Sequence, residues 1–188
     1  MAPAVWTVGH STRTSAVFLG LLRGAGIDLL VDIRRYPASR RHPHFASSTL
    51  EKALAGAGIS YVHEPDLGGR RSPRKDSPNT AWTNDGFRGY ADHMATPEFE
   101  AALARVVERS ARGTLAVMCA EADPSRCHRQ LVADALVLRG VPVLHLVGPQ
   151  DRRRHVLHPA ARLDAAGHVL YAEPPGQPSL FPRARRRR

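Results

Sequence analysis

Between Thr114 and Leu138 the chain carries thiols at Cys119 and Cys127, a carboxylate at Glu121, an imidazole at His128 and a guanidinium at Arg129. Together such groups can supply a nucleophile, a proton carrier and a cationic anchor for an anion. Cys119 reads as an activated thiolate if His128, Arg129 or the positive end of a helix dipole lowers its pKa. The alternative is a small residue in the core, where free cysteines commonly sit. Glu121 and Asp32 could form a carboxylate pair for acid/base or glycosidic chemistry, or neutralise Arg34 and Arg129 as ion pairs. His10 has the titration range of a general base, or it hydrogen-bonds its own turn.

Several chemistries fit poorly. A cysteine phosphatase places arginine after a cysteine and five further residues, and Arg126 is one position too far from Cys119. A zinc site built on Cys119, Cys127 and a histidine is strained, because adjacent Cys127 and His128 point about 100° apart on a helix start; no metal is expected. No GxGxxG follows the first strand and no phosphate-loop lysine motif is present, so neither a dinucleotide nor ATP is indicated and no cofactor is expected.

The elements that position these residues alternate. Apolar runs at Val5–Val8, Leu29–Ile33, Ile59–His63, Leu115–Met118 and Val141–Val147 have the length and composition of buried strands. Helical stripes lie between them: Val17, Phe18, Leu21 and Leu22; Leu50 and Leu54, capped by Ser47 or Ser48; Phe99, Leu103, Val106 and Val107 after Pro97; and Leu131 to Leu138, with Ser125 as the expected cap. This order predicts an α/β, Rossmann-like domain over residues 1–150, with a mainly parallel sheet of about five strands and helices on both faces. Residues 64–83 read as a mobile insert, followed by an aromatic-rich helix with Phe87, Tyr90 and Met94. Residues 151–188 read as an irregular, basic tail with one short strand at His168–Tyr171.

In such a sheet, ligands bind outside the carboxyl ends of the strands. The first strand delivers Gly9, His10 and Ser11 to that edge. The second delivers Asp32 and Arg34, with Arg40 in the cation-rich loop beyond. The third leads to Gly68, Gly69 and Arg70, and the fourth to Cys119 and Glu121, with Cys127, His128 and Arg129 at the next helix start. Glycines, arginines and backbone donors together make an anion site suited to a phosphate, a nucleotide or a nucleic-acid backbone. Cys119, Glu121 and His10 are the candidate reactive groups, and the others the candidate binding groups.

Composition sets the bounds. Of the 188 residues 43% are hydrophobic and only two are cysteine, so the chain can bury a core without a disulfide framework. No apolar run approaches the ~20 residues of a membrane span and no signal-peptide pattern opens the sequence, so a cytoplasmic protein without membrane contact is expected. The net charge is +10, and the five arginines between Arg183 and Arg188 account for half of it; such a surface suits polyanions. Just before them, Gln177, Leu180 and Phe181 lie in a segment too polar and proline-rich to fold alone. A peptide with one glutamine and two apolar anchors suits a partner's groove.

With these residues in view, the chain from about Thr7 to Val147 resembles the domain of unknown function 488 family. The motifs are Val8-Gly9-His10-Ser11, Val31-Asp32-Ile33-Arg34 with Pro37, Ser39 and Arg40, Leu67-Gly68-Gly69-Arg70, and Met118-Cys119-x-Glu121 followed by Cys127-His128-Arg129. The resemblance implies a Rossmann-like fold and no settled activity. The segment Gln177–Phe181 resembles the Gln-x-x-Leu-Phe peptide by which bacterial replication and repair proteins bind the sliding clamp, with Pro178 where leucine is usual. The resulting expectation is an anion-binding protein, read as an enzyme on a nucleotide or nucleic acid in DNA maintenance and recruited by the clamp. A non-catalytic module joining DNA to the clamp is the first alternative, and a thiol redox protein using Cys119 and Cys127 the second.

Overall fold

The computed structural model describes residues 4–39 and 41–172. Arg40, Gln177, Leu180 and Phe181 lie outside the described residues.

Five strands form the parallel body of a sheet: β1 (Val5–Gly9), β2 (Leu29–Asp32), β3 (Ser60–His63), β4 (Leu115–Cys119) and β5 (Val143–Leu146). A sixth, β6 (Arg152–Arg154), pairs antiparallel with β5, and the order is β3-β2-β4-β1-β5-β6. β4 is buried at every residue, as its unbroken apolar run requires of a strand covered on both faces.

The α/β expectation is met, and the connections explain where the helices lie. The chain steps from β1 to β2 to β3 through α1 (Ser15–Gly24) and α2 (Ser47–Ala55), which pack Phe18, Leu21, Leu22, Leu50 and Leu54 against Leu30, Ala116 and Met118 on one face. It then reverses to β4 and β5 through α3 (Asp85–His93), α4 (Pro97–Ser110) and α5 (Arg129–Leu138). These bring Tyr90, Phe99, Leu103, Val106, Leu131 and Leu136 onto the opposite face with Val31, Val117 and Cys119. Right-handed crossovers send helices to opposite faces when the strand order reverses. The loops after β1 and β2 therefore diverge from the loop after β4 and leave a crevice at the carboxyl ends of these three strands.

Some local expectations are corrected. Ser125 does not cap α5. A single 3₁₀ turn, Pro124–Arg126, is capped by Asp123, and the α-helix begins at Arg129 after His128. The extra turn keeps Cys127 extended rather than helical. α2 starts from Ala46 without a side-chain cap, so neither Ser47 nor Ser48 has that role. Pro97 does occupy the first turn of α4, behind Thr96. The segment expected to be a mobile insert is pinned: the carboxylate of Asp92 in α3 accepts from Ser77 Oγ at 2.6 Å, Asn79 Nδ2 at 2.8 Å and the Arg74 amide at 2.8 Å.

Residues 152–171 carry three short strands rather than one. Besides β6 there is a hairpin of β7 (Ala161–Leu163) and β8 (Val169–Tyr171). Asp134 of α5 ties that hairpin down. It accepts from Tyr171 Oη and His155 Nε2, each at 2.8 Å, and from the His158 amide at 2.9 Å.

Candidate functional site

The crevice opens into a cavity of about 760 Å³ whose lining includes His10 and Ser11 after β1, Arg34 and Arg35 after β2, Gly69 and Arg70 after β3, and Cys119 and Glu121 after β4. Cys127 and His128 line it from the turn before α5. Of the sequence-expected residues, Gly9, Asp32, Gly68 and Arg129 lie behind the wall.

The glycines are spacers. A Cβ at Gly9 would run into the carbonyl of Glu121 and the Arg129 guanidinium, so the bare backbone lets the loop after β4 close over β1. A Cβ at Gly69 would stand 2.8 Å from His128 Nδ1, and one at Gly68 would stand 2.8 Å from Arg35 Cα. Ser11 at φ 52° and Arg70 at φ 62° adopt left-handed backbone without being glycine. Both line the cavity, and strain of this kind collects where a site over-determines the chain.

Asp32 does not face a ligand. Its carboxylate is fully buried and holds Arg34, with Nη2 at 2.6 Å and Nε at 2.9 Å, while Tyr61 Oη donates to it at 2.9 Å. The reading of Asp32 and Glu121 as a reactive pair is corrected on this ground, since the Asp32 oxygens are already saturated. Its alternative reading, an ion pair with Arg34, is what is observed. Arg34 Nη2 also donates to Phe45 O at 2.9 Å, and its Nη1 meets His10 Nε2 at 3.3 Å.

That last contact decides the state of His10. A guanidinium only donates, so Nε2 accepts and the proton sits on Nδ1, which donates to Ser11 O at 2.9 Å. Burial pushes the His10 pKa down to about 4, with Arg34 adding to the effect. The imidazole is neutral, stacked on Phe45 at 4.3 Å, and its free lone pair is engaged. That lone pair is the one a general base would use, and Arg34 already holds it.

Cys119 is 1% exposed, at the end of a fully buried strand, and its Sγ lies 2.6 Å from Sγ of Cys127. Arg129 Nη1 donates to Cys119 Sγ at 3.4 Å and Nη2 to Ala122 O at 3.1 Å. Burial alone would raise the Cys119 pKa, but the hydrogen bond from Cys127 and the Arg129 charge outweigh it and hold the thiol below its ordinary value. Cys127 moves the opposite way, well up, because it donates to Cys119 and is itself desolvated. The charge that activates Cys119 comes from Arg129 and not from His128, whose pKa burial pushes down to about 4. Arg129 makes no ion pair with Glu121, which is exposed at the cavity rim.

Tyr36, Ser39, Arg41 and His42 also line the cavity and were not singled out as site residues from the sequence, and Arg126 lines it from the 3₁₀ turn before α5. The cation density of the loop after β2 was the signal for the first four. A buried chain behind the sheet had none. Thr7 Oγ1 meets His145 Nδ1 at 2.7 Å, His145 Nε2 meets His155 Nδ1 at 2.9 Å, and His155 Nε2 reaches Asp134. Among the described residues, no group of three or more His, Cys, Asp and Glu side chains is placed to hold a metal ion, and no helix is long and apolar enough to cross a membrane.

No curated protein and no solved structure matches the chain. The family model described as "Domain of unknown function DUF488" matches residues 14–136, more than half of the chain and most of the cavity wall, and the protein therefore belongs to the DUF488 family.

Proposed function

We propose that this protein is an enzyme acting on a phosphate-bearing substrate, a nucleotide or nucleic acid, with Cys119 as nucleophile. One observation carries the reading: the Cys119 thiol, with Arg129 Nη1 3.4 Å from its Sγ, lies at a cavity whose wall holds Arg35, Arg41, Arg70 and Arg126. Among the described lining residues only Glu121 is acidic. The arginines would draw an anion onto the thiolate and neutralise charge developing in the transition state, while exposed Glu121 can exchange a proton with solvent. Recruitment by the sliding clamp through Gln177, Leu180 and Phe181 is part of the proposal and rests on the peptide sequence; a clamp pull-down with Leu180→Ala/Phe181→Ala tests it.

The central test is conversion of nucleotides and oligonucleotides by the full chain. Cys119→Ala and Glu121→Gln should remain folded and lose turnover; full activity in both rejects the proposal. Binding without any conversion would favour the non-catalytic module.

The 2.6 Å between Cys119 Sγ and Cys127 Sγ favours a second reading, thiol redox chemistry. Cys119 would attack one sulfur of a substrate disulfide and expel the other as a thiolate. Cys127 would then displace the bound sulfur, leaving a reduced substrate and a Cys119–Cys127 disulfide. Mass spectrometry finding both thiols unchanged after disulfide or peroxide treatment counts against it.

A further inference from the structure

A second depression of about 300 Å³ adjoins the first, and Arg35 and Arg70 line both. Arg71 and Arg74 extend the cationic wall, with Asp92 and His93 beside them. Asp92 adds little repulsion to an incoming anion, because its oxygens face inward to Ser77, Asn79 and the Arg74 amide. Arg74 is paired with Asp76, whereas Arg35, Arg70 and Arg71 enter none of the ion pairs found among the described residues. Burial and the Arg35 charge hold the Arg71 pKa below its ordinary value, a mark of like charges crowded together. Tyr36 stands in the wall of the first cavity at 61% exposure, with Arg35 Cζ 5.5 Å from its ring centroid. The other large hydrophobic side chains exposed among the described residues are aliphatic.

A mononucleotide needs one phosphate cradle. Two contiguous cradles with an exposed aromatic face beside them suit a chain of repeating phosphates whose bases are free to stack. A duplex would keep its base faces covered and could not use Tyr36. We infer that the ligand of this surface is single-stranded nucleic acid, with successive phosphates on Arg41 and Arg126 in the first depression and on Arg35, Arg70 and Arg71 in the second, and a base on Tyr36. The inference deepens the proposed function and rests on its anion site.

Fluorescence anisotropy of the full chain tests it. The probes are deoxy and ribo single strands of about twelve nucleotides, within the span one module covers, the matching duplex and a mononucleotide. The C-terminal arginines are common to every variant, so differences between variants report the two depressions. A single strand should bind more tightly than duplex or mononucleotide, and the two sugars decide between DNA and RNA. Tyr36→Ala should weaken single-strand binding roughly tenfold while Tyr36→Phe preserves it. Arg71→Gln should lower the salt dependence by about one counter-ion. Equal affinity for strand and duplex, or no effect of Tyr36→Ala, overturns the inference. Cys119-dependent conversion of a mononucleotide with no advantage of chain length would sink this inference and spare the enzyme reading. Tight, Tyr36-dependent strand binding without Cys119-dependent conversion would do the reverse.

Discussion

Arg129 is 1% exposed, makes no ion pair with a carboxylate among the described residues, and points its Nη1 at Cys119 Sγ from 3.4 Å. Arginine keeps its charge in proteins, and a buried cation is costly without an anion beside it. The thiolate form of Cys119 is the anion within reach, so the nucleophile and the buried charge stabilise each other.

Alkylation of Cys119 should therefore show a midpoint below that of an ordinary thiol, and Arg129→Gln should shift it upward. Rates of iodoacetamide labelling against pH, with site occupancy read by mass spectrometry, measure this. An unchanged midpoint in Arg129→Gln would show that Arg129 does not activate the thiol.

Acid should destabilise the fold. Burial lowers His10, His128 and His145 each to about 4, so between about 4 and 6.5 the unfolded chain binds protons that the native state does not. Stability then rises with pH, is fully present above the unfolded histidine value, and is lost as pH falls toward 4. Each such imidazole contributes a slope of up to about 1.4 kcal/mol per pH unit. Urea midpoints across this range check the sign; a flat profile between pH 6.5 and 4 would contradict it.

Asp134→Ala leaves His155 Nε2, the His158 amide and Tyr171 Oη without their common acceptor. The expected loss is about 3 kcal/mol or more, against roughly 1–2 kcal/mol for Tyr171→Phe, which removes one donor. Chemical denaturation measures both, and equal effects would mean that Asp134 is not the hub.

Two glycines should respond in opposite directions. Gly9→Ala forces the Glu121 carbonyl and Arg129 away and should cost several kcal/mol while slowing Cys119 alkylation. Gly20 is exposed within α1 with open space around its Cβ position, so Gly20→Ala should stabilise by about 0.5–1 kcal/mol. Thermal melts of the two variants decide the matter.

The amino-acid sequence by itself determined the five parallel strands, the helices on both sides and the edge at which Gly9, Arg34, Gly69 and Cys119 meet. Each follows from apolar runs, breakers and the handedness of crossovers, which act locally. It also singled out the Cys119–Arg129 stretch, because its chemistry is dense in few residues. The state of each group was decided by contacts between distant segments. Asp32 is spent on Arg34 and Tyr61, burial lowers the His10 pKa while Arg34 engages its Nε2, and the Cys119 pKa is lowered by Cys127 and Arg129 rather than by His128. A pKa depends on burial and on neighbours brought together by folding, neither of which residue spacing encodes. The same holds for the His145–His155–Asp134 chain, whose members lie on β5, just past β6 and on α5, and meet only when those elements pack.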